Sequence, residues 1–319
     1  MGSMRRIFIT SVGGDVGNAI LRVLSGEPDT FLFGCDIKDY VPDMQLMKYY
    51  IAPRYDSPDY WPYIREILLS LQITHFIPVS EPELIIFDKF RSFFQQHHIG
   101  LVMNDSDVIH IFCSKYKTAK FLIEHGISAP CTYLPKKLPA GIVYPLIVKP
   151  DIGCGSNGVH IVNSDVELQD ALKDIPHAIV QEYIGSPEEE YTMGIFSNGQ
   201  LTHHICFKRT LGYGGMSVRV STVDSDDIGH IAQEVSHALH LKGAVNVQMR
   251  RQKGEYSIFE INPRLSSTVG FRHKLGFTDV IWWLDVMDHK SITKEYKISN
   301  NIIGLRCLNE QIVKLDLMQ

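Results

Sequence analysis

The sequence has little excess charge of either sign. Its 31 lysines and arginines against 36 aspartates and glutamates leave a formal net charge of −5 over 319 residues. Long-range electrostatics therefore give no reason to expect nucleic acid or an anionic membrane as partner. Cysteine is sparse. Cys35, Cys113, Cys131, Cys154, Cys206 and Cys307 lack the paired spacing of a zinc site or disulfide framework, a pattern that suits reduced thiols in a cytoplasmic protein. No apolar run approaches the roughly 18 residues that a membrane span needs, and no internal repeat or low-complexity tract interrupts the chain. No glycine loop closes with Gly-Lys-Ser/Thr, which excludes a Walker-type phosphate loop. Met1-Gly2-Ser3 ahead of Met4 reads as an expression scar, and residues 5–10 read as a strand instead of a signal peptide.

What is present suits a folded protein with a substantial core: 45% of the residues are hydrophobic and 21% charged. The length predicts two domains, or three small ones. Residues 5–10 are rich in β-formers. Gly13, Gly14 and Gly17 follow, and then Ala19, Ile20, Val23 and Leu24 recur at helical spacing. Strands are expected at 30–35 and 75–79, a helix at 61–71, and a further helix–strand step over 82–103. That alternation predicts a parallel α/β sheet. A helix is expected over 114–125, stopped by Gly126, then a connection over 127–137. Short strands are expected after it, at 144–149, 158–163, 178–183, 191–196, 201–208, 218–223, 244–250 and 256–261. Helices at 166–172 and 228–239 interrupt them, and Asn198-Gly199 and Lys253-Gly254 mark turns. This half reads as α+β and largely antiparallel.

Three segments carry chemistry. The turn Ser11-Val12-Gly13-Gly14-Asp15-Val16-Gly17, with Asp36 ending the next strand, is a partial dinucleotide fingerprint. The alternative is a tight turn in a Rossmann-like domain that binds no dinucleotide. Val148-Lys149-Pro150 with Gly153, Cys154, Gly155, Ser156 and Gly158 sets a lysine at a strand end before a glycine loop, a point charge and amides for phosphates. Finally, Asn246 and Gln248 lie two apart on one strand, and Glu260, Asn262 and Arg264 two apart on and beyond the next. Period two puts alternate side chains on one face, and the Lys253-Gly254 turn makes the strands antiparallel neighbours. Gln248, Glu260 and Asn262 are then expected to converge as oxygen ligands of the kind Mg²⁺ takes. The planar fork of Arg264 suits a carboxylate or acyl phosphate. Lys208 and Arg219 flank the glycine-rich stretch 210–216 and are candidates for anionic substrate groups. Glu81, beyond the third strand, is a candidate for an amine; capping the next helix is its other reading. His203 and His204, as strand neighbours, point to opposite faces and do not share a metal. Trp282-Trp283 reads as core or a subunit contact.

Taken together, these segments resemble the ATP-grasp superfamily, in its branch of carbamoyl-phosphate synthetase-like carboxylate–amine ligases. Four stretches match in order: Ser114-Lys115-Tyr116-Lys117; Ile147-Val148-Lys149-Pro150 with its glycine loop; Val180-Gln181-Glu182-Tyr183-Ile184 through Glu190-Tyr191-Thr192; and Phe259-Glu260-Ile261-Asn262-Pro263-Arg264. The resemblance implies a Rossmann-like N-terminal domain over 4–112. An ATP-grasp module would follow, with a small lid over 113–185 and a larger antiparallel subdomain over 186–319. It further implies ATP and Mg²⁺ as cofactors. Lys115 and Lys149 would contact phosphates, and the loop of Gly153, Gly155, Ser156 and Gly158 would cover them. Glu182, Tyr183 and Ile184 would meet adenine, and Glu190 the ribose. Gln248, Glu260 and Asn262 would place the metal, and Arg264 the reacting carboxylate. The implied activity is ATP-dependent formation of an acyl phosphate and its capture by an amine or similar nucleophile. Small-molecule substrates and a possible homodimer complete the expectation. Its rivals are a bicarbonate-activating synthetase or carboxylase, a non-catalytic nucleotide-binding regulator, and an NAD-dependent oxidoreductase.

Overall fold

The computed structural model describes residues 4–153, 158–292, 296–298, 300–307 and 310–312. The chain forms two compact units that do not follow chain order. One comprises Met1–Asn104, Arg264–Lys297 and Cys307–Gln319; the other comprises Asp105–Pro263 and Ile298–Arg306.

The first unit begins with strand β1 (Arg5–Ile9), helix α1 (Asp15–Leu24), β2 (Thr30–Asp36), β3 (Lys48–Ile51), helix α2 (Tyr60–Ser70) and β4 (His75–Ile77). Helices α3 (Glu81–Asp88) and α4 (Arg91–Gln96) and strand β5 (Gly100–Leu101) follow. The strands pair in parallel in the order β3-β2-β1-β4-β5. Ile7, Phe8 and Ile9 are wholly buried, as expected of a parallel strand covered on both faces. Each such side chain contributes about 1.5–3 kcal/mol of hydrophobic stabilisation. The step expected over 82–103 is two helices, because Phe90 leaves helical geometry at φ −114°, ψ 17°. Its ring stacks on Trp61 at 4.1 Å, while Phe93 meets Trp61 edge-on at 5.0 Å. Strand β3 is missing from the sequence expectation, since Lys48-Tyr49-Tyr50-Ile51 shows no alternation.

The second unit opens with α5 (Ser106–Phe112), α6 (Lys115–Glu124), β6 (Thr132–Tyr133), β7 (Leu146–Pro150), β8 (His160–Val162), α7 (Asp165–Asp174) and β9 (Ala178–Glu182). It continues with β10 (Glu190–Asn198), β11 (Thr202–Leu211), β12 (Ser217–Val223), α8 (Asp226–Ala238), β13 (Lys242–Gln252) and β14 (Glu255–Asn262). The chain then returns to the first unit for α9 (Val269–Lys274) and α10 (Asp279–Met287), and to the second for β15 (Ile303–Leu305).

The second unit holds a four-stranded sheet, β6-β9-β7-β8, and a six-stranded sheet, β14-β13-β10-β11-β12-β15. Alternation decides their faces. In the smaller sheet Leu146, Val148, Ala178 and Val180 pack on Leu168 and Ala171 of α7, so Lys149 and Gln181 fall on the other face. In the larger sheet Met193, Ile195, Cys206, Val245, Val247, Met249, Ile258 and Ile261 pack on Val108, Leu122, Ile228, Ala232 and Val235 of α5, α6 and α8. The opposite face then carries Glu190, Thr192, Arg209, Asn246, Gln248 and Arg250. Helix ends are set by side chains: Ser114, Ser164 and Ser225 each accept a backbone N–H of the first turn. Among the described residues, no helix is long and apolar enough to cross a membrane. Parallel sheet followed by antiparallel sheets is the fold class expected from the sequence.

Candidate active site

The hairpin of β13 and β14 sets the first part of the site. Gln248 lies opposite Glu260, and Asn246 opposite Asn262. The register shifts between Gln248 and Met249, whose partner is Ile258, so Phe259 is the extra residue of a β-bulge. The bulge lets Ile258 and Ile261 both face the core while Glu260 still meets Gln248. Asn262 Nδ2 donates to Glu260 Oε1 at 3.3 Å, and Thr192 Oγ1 donates to the buried Asn246 Oδ1 at 2.9 Å.

Lys149 comes from the open face of the smaller sheet. Its Nζ donates to Gln181 Oε1 at 2.8 Å and lies 5.6 Å from the Phe259 ring centroid. Gln181 is held in turn, its Nε2 donating to Thr132 Oγ1 at 2.8 Å. Burial pulls the Lys149 ammonium down to about 8; Glu260 and Glu190 push it back up, while Lys115 and Arg250 add to the fall. Lys115, the first residue of α6 and mostly buried, donates from Nζ to Gly153 O at 2.7 Å. Its neighbourhood is fixed by Asp151, which accepts Tyr116 N at 2.8 Å and Ser114 Oγ at 2.8 Å and so ties the end of β7 to the N-terminus of α6. Gly153 has φ +149° and Gly158 φ +70°, and a Cβ on Gly158 would stand 3.3 Å from Pro150. Gly155 and Ser156, with Cys154, lie outside the described residues.

Glu182, Tyr183 and Ile184 lead out of β9 with Glu182 exposed and Ile184 buried. The Ile184 carbonyl accepts Arg250 Nη1 at 3.3 Å, and the Arg250 guanidinium lies 5.4 Å from the Tyr183 ring centroid. Glu190 is buried and doubly paired: Arg209 Nη2 donates to Oε1 at 2.8 Å, and Arg250 Nη2 to Oε2 at 2.9 Å. Arg209 also donates to Gln248 Oε1 at 2.9 Å.

Two candidate residues fall on the other side of the sheet. Lys208 lies opposite Tyr191 and pairs with Glu189, and Arg219 lies opposite Thr210. Both project from the face opposite Arg209, because period two separates neighbours on a strand. The sequence reading missed Arg209, Arg250 and Asp151. A lone charge on a strand gives no signal of its own; only cross-strand register shows that Glu190, Arg209, Gln248 and Arg250 share a face. Among the described residues no group of three or more His, Cys, Asp or Glu could hold a metal ion. The oxygen set Gln248, Glu260 and Asn262, with one carboxylate, instead suits a hard cation that takes its remaining ligands from phosphate or water.

In the first unit, Arg264 Nη2 donates to the buried Glu81 Oε1 at 3.1 Å, and Nη1 to Leu265 O at 3.1 Å. The glycine turn there is closed on itself. Gly13 N donates to Asp36 Oδ2 at 2.9 Å, and a Cβ on Gly17 would stand 2.4 Å from Ser11 O. Asp36, the carboxylate the dinucleotide reading reserves for a ribose, already accepts the turn's own amide.

Residues 112–268 match the family model of the ATP-grasp domain. The chain is 29% identical over 144 residues to the arginine-specific carbamoyl phosphate synthase large chain of Bacillus subtilis, covering 40% of this chain and 14% of that one. The chain thus spans only a fraction of the length of the curated relatives it matches. Among solved structures it resembles the biotin carboxylase domain dimer of 2-oxoglutarate carboxylase from Hydrogenobacter thermophilus, in complex with MgADP, ADP and bicarbonate. That match has a TM-score of 0.77 and 14% identity, over 94% of this chain and 74% of that one. It also resembles L-amino acid ligase from Bacillus licheniformis, with a TM-score of 0.70 and 17% identity over 90% and 75%. At these identities the structures speak for the fold.

Proposed function

We propose that the protein is an ATP- and Mg²⁺-dependent ligase. It activates a small carboxylate as an acyl phosphate and couples it to an amine or similar nucleophile, releasing ADP and phosphate. The observation that carries this reading is Lys149, buried with a depressed pKa beside Phe259 and in electrostatic contact with Glu260 and Lys115.

Lys115 and Lys149 hold the phosphates, with the loop of Gly153, Gly155, Ser156 and Gly158 closing over them. Glu182, Tyr183 and Ile184 flank adenine. Glu190 serves the ribose as an additional acceptor, each of its oxygens having lone pairs beyond those the arginines use. Gln248, Glu260 and Asn262 would hold Mg²⁺, which when bound neutralises charge on the triphosphate. Arg264 is assigned the reacting carboxylate; its Nη2 already donates to one, Oε1 of Glu81, at 3.1 Å. A substrate carboxylate oxygen attacks the γ-phosphorus as the bond to ADP breaks. Catalysis of that step is positioning and charge stabilisation. The nucleophile then attacks the acyl carbon and phosphate leaves. A cytoplasmic setting suits the free thiols at Cys35, Cys113, Cys131, Cys206 and Cys307, and a homodimer matches the state recorded for the biotin carboxylase domain.

The carbamoyl phosphate synthase relatives and the biotin carboxylase fold favour one second reading, activation of bicarbonate at the same site. ADP release distinguishes the two. Release that depends on pooled amino acids or small carboxylates is expected. Release with bicarbonate alone selects the second reading, and tight ATP binding without turnover defeats both.

Lys149 also predicts a pH dependence. Its folded pKa lies below the unfolded value of 10.5, so between about pH 8 and 10.5 the unfolded chain holds the extra proton. This group's contribution to stability therefore rises with pH across that window. Nucleotide binding runs the other way, because an anion favours the ammonium. Affinity for ATP is expected to fall as pH rises through 8, by up to about tenfold per unit. Calorimetry in buffers of different ionisation enthalpy should show proton uptake on binding at pH 8.5–9, roughly where the apo lysine is part-neutral. A pH-independent enthalpy difference of zero would remove Lys149 from the phosphate site.

A further inference from the structure

We propose that Arg250 is a positioning residue that couples recognition of the base to recognition of the sugar, its guanidinium holding the adenine segment and the ribose carboxylate in one arrangement. The inference rests on the ATP reading above and adds to it the residue that sets nucleotide selectivity.

The chain crosses from β9 of the four-stranded sheet to β10 of the six-stranded sheet over residues 183–189. Arg250 serves both ends of that crossing. It lies directly opposite Glu190 on the neighbouring strand. Its Nε and Nη2 donate to Glu190 Oε2 at 3.1 and 2.9 Å, and its Nη1 donates to the Ile184 carbonyl at 3.3 Å. The guanidinium carbon also lies 5.4 Å from the Tyr183 ring centroid and 5.9 Å from that of Phe259, within the range at which an aromatic face attracts a cation. The Arg250 side chain is 16% exposed and that of Glu190 5%, so little water screens the pair.

The backbone of the crossing is seated on the same strand. Gly185 has φ +56°, and a Cβ there would stand 3.0 Å from Arg251 O and 3.2 Å from Arg250 Cβ. Its N–H donates to Gln252 Oε1 at 3.2 Å. Glycine is the residue that permits both this conformation and so close an approach. The stretch Glu182-Tyr183-Ile184 and the Glu190 carboxylate are thus referred to one planar, always charged group. Neither can shift without breaking a bond to it. A lysine would keep the charge but has no fork with which to span the two acceptors.

The test measures binding of ATP, GTP and 2′,3′-dideoxy-ATP to the full chain by calorimetry with Mg²⁺ present. Wild type is expected to prefer ATP over each analogue by about tenfold or more, the scale of one hydrogen bond to a charged group. Arg250→Met, which keeps the apolar stem and removes the fork, is expected to lose both preferences together. Arg250→Lys is expected to do the same, and Glu190→Gln to lose the sugar preference alone. A merely structural Arg250 would weaken all three nucleotides by one factor and leave their ratios unchanged. Retained ratios in either Arg250 variant, loss of only one of them, loss of all binding in Arg250→Lys, or a wild type that binds the three alike overturns the proposal while leaving the ATP reading standing. A wild type that binds none of them overturns both. Should Arg250→Met not fold or bind too weakly to measure, the wild-type ratios and the lysine variant decide the matter.

Discussion

Glu260→Ala is expected to lower substrate-dependent ADP formation by at least about 10²–10³-fold, the scale on which single charge-stabilising groups act. The unfolding midpoint should change little. Two effects combine. Glu260 is the carboxylate opposite Gln248 on the hairpin, so its loss takes the anionic ligand from the expected metal site. It also raises the Lys149 pKa against burial; without it, Lys149 loses more of its charge at neutral pH. The fold has little at stake, because Glu260 is part-exposed and accepts a single long bond of 3.3 Å from Asn262. Turnover near the wild-type rate, with the metal dependence unaltered, would refute the hairpin as the metal site. Glu260→Gln, which keeps shape and loses charge, should fall almost as far.

The second large effect concerns stability. Asp279→Ala should destabilise the first unit by about 3–5 kcal/mol, the cost of leaving a buried charge unpaired. Asp279 and Arg272 are both about 1% exposed and meet at 2.7 Å. Burial pushes the aspartate up and the arginine down, while each partner opposes the other's shift. Arg272 Nη1 also donates to Ser266 Oγ at 2.9 Å and Thr268 Oγ1 at 3.2 Å, so the pair fixes the loop that follows Arg264. Such a loss is a large part of an ordinary domain's 5–15 kcal/mol. Urea unfolding should show a lower midpoint with the slope retained. Arg272→Met with Asp279→Leu, which removes both charges, should recover most of the loss. Equal midpoints for wild type and Asp279→Ala would contradict this account.

How much the sequence revealed depended on whether a local period carried the information. Alternation put Gln248, Glu260 and Asn262 on one face, and the Lys253-Gly254 turn made β13 and β14 neighbours; both are properties of adjacent residues. The same alternation, applied to β11, turns Lys208 to the side of Tyr191 and leaves Arg209 on the site face. Lys208 and Arg219 flank the glycine stretch along the chain, and closeness along the chain carries no parity. The bulge at Phe259 follows from no local pattern, since its cause is the demand that Ile258 and Ile261 both reach the core. The pairs Arg209–Glu190, Arg250–Glu190 and Arg264–Glu81 join residues 19, 60 and 183 positions apart, a range at which spacing says nothing. Helix α5 escaped for a simpler reason: its seven residues are too few to establish a helical period.

The path of the chain has a consequence for anyone wishing to transplant the nucleotide-handling module. A cassette cut at 112–268 would include Arg264 but leave behind Glu81, which holds its guanidinium, and Arg272 and Asp279, which anchor the stretch after it. The hairpin proposed for the metal and the arginine proposed for the carboxylate are separated by a single proline in the primary structure, yet they belong to different compact units. A graft therefore needs both units, or its arginine loses its moorings.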